Sequence, residues 1–196
     1  MGSIDITHQP VALAMNHPAD AFRTRNGTAS FLLVPLTILA VVFGPLPGFF
    51  TQADDLPWRF DLGEALLLRL PLAVATYLAA GTAFWLIGRL LGGGTPWRLH
   101  VRLWGVTYLP TLLCAILTSV AETWFWLFWQ HAWLGVVLSI AFSGILIWKA
   151  LLYGLYLRHV AGLAGSRLAI AFAAGAIPIL LLAMANLRFG LRVPIL

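Results

Sequence analysis

Five apolar runs, at residues 30–50, 65–91, 102–121, 132–157 and 168–186, leave little of this chain for anything else. Each holds about 20 or more residues, the length an α-helix needs to cross the hydrocarbon core of a bilayer. Short polar or Gly/Pro-rich connections separate them. Only 10% of the residues are charged and the mean hydropathy is +0.90, against about 25% charged in an ordinary soluble domain. The expected fold is an all-α, polytopic integral membrane bundle of five transmembrane helices. Its expected divisions are a short cytoplasmic tail at 1–29, a single transmembrane domain at 30–186 and a short C-terminal tail at 187–196. The first 29 residues contain no apolar core of the kind a secretory signal has.

The few charges sort by position. With the connections assigned alternately to the two sides, Arg23, Arg25, Arg89, Arg98, Arg102, Arg158 and Arg167 fall on one side and Arg59, Arg188 and Arg192 on the other. Basic residues concentrate in cytoplasmic loops, which predicts the N-terminus inside and the C-terminus outside. The net charge of +5 therefore points to anionic lipid and not to nucleic acid, since no soluble segment carries a basic patch. Arg89, Arg98, Arg102, Arg158 and Arg167 are the expected lipid-facing set. Eleven of the twelve cationic side chains are Arg, a composition expected of a GC-rich bacterial genome and hence of a bacterial inner membrane.

Lys149 is the exception to this sorting. It lies eight residues before the end of the fourth run, about 12 Å deep at 1.5 Å per residue. A charge at that depth faces the bundle interior and requires polar partners. Tyr108 and Thr111 in the third run fall at a similar level. Pro110 cannot donate to the Val106 carbonyl, which leaves an acceptor there. Tyr153 follows Lys149 by one helical turn. The expected intramembrane polar pocket thus comprises Lys149, Tyr153, Tyr108 and Thr111, with the Val106 carbonyl. Near the outer side, Arg69 and Glu122 are expected to pair.

Tyr108, Thr111, Ala115, Thr118 and Glu122 share one helix face, suited to helix contact or to a permeation path. Two small-residue faces, Ala75/Ala79/Ala83 and Gly135/Ser139/Ser143, suit close helix packing or a homodimer. Catalytic or metal chemistry has no such support. No run holds a central Asp or Glu, no His-Glu-x-x-His is present, and the histidines are not spaced to share a ligand. Cys114 stands alone, so neither an intrachain disulfide nor a thiolate cluster is expected. No cofactor is expected either.

Two stretches carry a family likeness: Gly105-Val-Thr-Tyr108-Leu-Pro110 at the start of the third run, and Trp148-Lys-Ala-Leu-Leu-Tyr-Gly-Leu-Tyr-Leu-Arg158-His159-Val-Ala-Gly162 followed by Arg167-Leu-Ala169. Together they resemble the Yip family of five-span membrane proteins, named for binding Rab-type (Ypt) GTPases, in a bacterial-like form. The resemblance implies a cytoplasmic N-terminus and a non-enzymatic role. In eukaryotic members that role is recruitment of prenylated GTPases and membrane-shaping partners. The N-terminal tail here is shorter than their extended acidic and aromatic segment, so GTPase binding is not expected. The functional expectation is a scaffold, or a bundle that engages lipid or a membrane-protein partner. The alternative is a small transporter or channel using the polar stripe of the third helix and Lys149.

Overall fold

The computed structural model describes residues 10–24, 27–44, 61–124, 127 and 130–191, and among them all regular structure is helical. Two short helices, α1 (Pro10–Asn16) and α2 (Pro18–Arg23), precede α3 (Thr28–Phe43). After these come α4 (Leu62–Leu90), α5 (Trp97–Trp104), α6 (Leu109–Thr123), α7 (Ala132–His159) and α8 (Gly165–Arg188). Four rods are long and apolar enough to cross a membrane: α4, the continuous Trp97–Thr123 rod, α7 and α8. α3 has 16 residues, about 24 Å of helix at 1.5 Å per residue, and the rest of the first apolar run lies outside the described residues.

Local chemistry sets the irregularities. Asp61 accepts the Glu64 amide at 2.7 Å and caps α4, as a short acidic side chain at an N-cap does. Pro71 has no amide to give to the turn before it. The helix accommodates this with a π-turn at Ala65–Arg69, in which the Leu70 amide reaches back five residues to Ala65. α4 ends in a left-handed Gly92 (φ 94°), with the Gly93 amide bonded to the Gly88 carbonyl at 2.8 Å, the closure that favours glycine at this position.

The Trp97–Thr123 rod is the hub. Of its most apolar window 61% is buried, against 6% for α7. It begins five residues before the expected third span, inside what reads as a loop. Pro96 supplies the extended N-cap, and the sequence that follows is amphipathic. His100, Val101, Leu103 and Trp104 turn inward while Trp97, Arg98 and Arg102 stay exposed. A 3₁₀ turn at Gly105–Tyr108 joins α5 to α6. Here α3 passes so close that a Cβ on Gly105 would stand 2.6 Å from Ser30 Cβ and Val34 Cγ2.

Packing selects faces that periodicity leaves open. In α4 the buried face runs through Ala73, Thr76, Ala80, Phe84 and Gly88, whereas Ala75 and Ala79, expected as a packing face, are exposed. Thr76 donates to the Asn186 Oδ1 at 2.7 Å and ties α4 to α8. In α7 the buried residues are Lys149, Leu152, Tyr156 and Leu157, all in its second half. Ser139 and Ser143 remain exposed and bond to carbonyls of their own helix. The packed unit also starts before residue 30. Phe22 of α2 is fully buried and meets Tyr156 edge-on at 5.8 Å. At the other end it extends past 186 to Leu191, buried with its amide on the Asn186 carbonyl.

Candidate functional site

Exposed basic side chains are concentrated at one end of the bundle. The C-terminal ends of α4 and α7 and the N-terminal ends of α5 and α8 meet at one end, tied by the Thr95 hydroxyl on the Val160 carbonyl and by the Tyr156 hydroxyl on the His100 carbonyl at 2.8 Å. Arg89, Arg98, Arg102, Arg158 and Arg167 all lie there, and all five are exposed. Arg23, bonded to Asp20 at 3.5 Å, adds to α2. The opposite end carries Asp61, Glu64 and Arg69 on α4 and the exposed Arg188 at the end of α8. Of the arginines sorted above, Arg25, Arg59 and Arg192 lie outside the described residues.

Beneath the basic end lies an aromatic core. The Trp104 indole stacks on Tyr153 at 5.1 Å and 12°, and packs on Phe84 at 4.6 Å and on Tyr156 at 5.1 Å. His100 meets Tyr156 at 4.9 Å. Tyr77 packs edge-on against Tyr108 at 5.2 Å and gives its hydroxyl to the Val101 carbonyl at 2.7 Å. Rings in such tilted and edge-on arrangements attract beyond their burial. Trp104, His100, Phe84 and Phe22 were not singled out as site residues in the sequence. The signal for the first two was the amphipathic period after Pro96, obscured by the preceding Gly-rich turn.

Lys149 enters this core from α7. It is 5% exposed, donates to the Thr111 hydroxyl, and holds its ammonium 5.9 Å from the centre of the Tyr108 ring. The structure thus brings Lys149, Thr111 and Tyr108 together. Tyr153 shares the face of α7, but its ring is committed to Trp104 and Phe84, and its hydroxyl has no hydrogen-bond partner among the described residues. The Val106 carbonyl does not serve Lys149 as expected. The 3₁₀ turn moves the helical bond by one residue, and the Leu109 amide takes that carbonyl.

Arg69 is likewise placed differently. The π-turn brings it back along its own helix, and its guanidinium donates to Glu64 at 3.1 and 3.2 Å. This is the ion pair that Arg69 makes among the described residues, where the depth of the two residues led to the expectation of a pair with Glu122. Glu122 sits half-buried near the end of α6. On the polar stripe of the Trp97–Thr123 rod, Tyr108, Thr111 and Ala115 are each 1% exposed. They are occupied by helix packing against α3 and α7. Among the described residues no group of three or more His, Cys, Asp or Glu side chains is placed to hold a metal.

Apolar helices of spanning length, with large apolar side chains exposed along them and most charges near their ends, define a multi-pass membrane protein. The family model of the Yip1 domain matches residues 13–187, and the chain belongs to that family. The match begins within α1, consistent with the packing of α2 on the bundle. No curated protein and no solved structure matches the chain.

Proposed function

We propose that this Yip-family chain is a non-enzymatic organiser of a bacterial cytoplasmic membrane, with five spans, the N-terminus inside and the C-terminus outside. Its Arg-rich end then lies on the cytoplasmic face and gathers anionic lipid, and with it a membrane-protein partner or a second copy. The observation that carries this reading is the clustering of five exposed arginines at one end of a bundle whose long helices are largely apolar. Each basic side chain near an anionic surface is worth about 1 kcal/mol, so the set acts as a lipid selector without a catalytic group.

Lipid co-purifying with the protein from membranes of mixed composition is expected to be enriched in anionic species. Replacing Arg89, Arg98, Arg102, Arg158 and Arg167 together by Gln is expected to abolish that enrichment. Equal lipid ratios for the two proteins would overturn the reading. Orientation is tested in a Cys114→Ala background with single cysteines at Gly94, where a Cβ meets open space, and at the exposed Gln130. An impermeant thiol reagent on intact cells is expected to label position 130 and spare position 94; the reverse pattern would place the basic end outside.

A further inference from the structure

An apolar groove of about 410 Å³ runs between α3, α4 and α5, floored by Phe31, Val34, Tyr77 and Val101. That volume is within the range of about 300–1,000 Å³ typical of small-molecule sites. Its arginines make it more than a gap between helices. Arg98 and Arg102, one turn apart on α5, both line it and both are exposed. Neither makes an ion pair with a described residue, and the Arg102 guanidinium lies 4.9 Å from the centre of the Phe31 ring across the groove. Ser30 also lines the groove. It is 5% exposed, and its hydroxyl has no hydrogen-bond partner among the described residues. The Tyr77 hydroxyl is already taken by the Val101 carbonyl. The Ser30 hydroxyl is closed off against Gly105 at the contact of α3 with the 3₁₀ turn, so the polar groups that the groove presents are the two arginines.

We propose that this groove binds one membrane phospholipid with an anionic headgroup. An acyl chain lies along Phe31, Val34 and Val101, and the phosphate sits between Arg98 and Arg102, where guanidinium forks match its oxygens. The occupant is a lipid because the groove is flanked by helix faces that carry exposed Leu32 and Leu36 on α3 and Val74 and Leu78 on α4. The bilayer covers such faces and delivers lipid sideways. This inference rests on the anionic-lipid reading above and adds a single stoichiometric site to it.

The test is native mass spectrometry of the delipidated full chain reloaded with phosphatidylglycerol or phosphatidylcholine. One phosphatidylglycerol is expected to be retained per chain, and no phosphatidylcholine. Arg98→Gln/Arg102→Gln is expected to weaken retention about 30-fold, equivalent to about 1 kcal/mol per arginine. Phosphatidylglycerol carrying a diazirine in its acyl chain, crosslinked to the unmodified protein, is expected to label residues 31–35 and Val101. That measurement stands whether or not a variant folds. Stoichiometric phosphatidylglycerol with labels confined to α7 and α8 would overturn the groove while leaving the anionic reading intact. Wild-type retention by the double Arg variant would also overturn the groove. Equal retention of the two lipids would overturn both.

Discussion

Trp104→Ala is expected to lower the stability of the bundle by about 3 kcal/mol, near the low end of the range for truncating a buried aromatic. The side chain is fully buried, lies against Phe84, Tyr153 and Tyr156, and backs onto Gly81, where a Cβ would stand 3.4 Å from its indole. Transfer from water drives little inside a bilayer, so the cost is chiefly the cavity and the lost contacts. Trp104→Phe keeps most of that contact. The indole NH has no hydrogen-bond partner among the described residues, so Phe removes no polar interaction and is expected to cost about 1 kcal/mol. Equilibrium unfolding in mixed micelles reads both variants. A Trp104→Ala protein as stable as the wild type would mean that the aromatic core does not hold α5 to α4 and α7.

The second large effect is an asymmetry. Thr111→Val is expected to cost about 2 kcal/mol, because it strips the buried Lys149 amine of its hydrogen-bond acceptor, and bonds to charged groups are worth about 1.5–3 kcal/mol. Lys149→Met removes the group that needs the acceptor and fills similar volume. It is expected to lie within about 1 kcal/mol of wild type, or above it, as when a buried charge is replaced by a packed apolar side chain. The double variant is expected to match Lys149→Met, so the cost of losing Thr111 vanishes once Lys149 is gone. If Lys149→Met is instead the more damaging single change, the amine itself stabilises the bundle.

Particular residues show how far the sequence could be read. Lys149 was legible because a lysine that deep in an apolar helix has to turn inward, and Thr111 and Tyr108 because depth follows from rise per residue. Their meeting required that α6 and α7 be neighbours. Tyr153 has the same warrant from spacing, yet its ring is taken by Trp104, which no local pattern on α7 can indicate. The Val106 carbonyl and Arg69 went elsewhere because helix geometry changed near a proline, to 3₁₀ before Pro110 and to π before Pro71. A proline announces that the ladder must break. It does not say which neighbouring bond replaces the missing one.

The groove shows the same division. Arg98 and Arg102 are visible as basic residues of a loop, but their helix, and hence their common face, follows from α5 packing against the Phe84 and Tyr156 rings.

By itself the sequence determined the class of protein, the apolar helices, and which charges stand at which end. These follow from length, hydropathy and the cost of placing charge in hydrocarbon, all of which act residue by residue. The tertiary structure alone decided which helix is the hub, which alanines of α4 are buried, and which oxygen Lys149 finds. In lipid an apolar face has no preference between a tail and another helix until shapes fit. Packing complementarity is a property of pairs of helices, and the close approach of the Trp97–Thr123 rod at Gly105 and its aromatic face are what made it the centre.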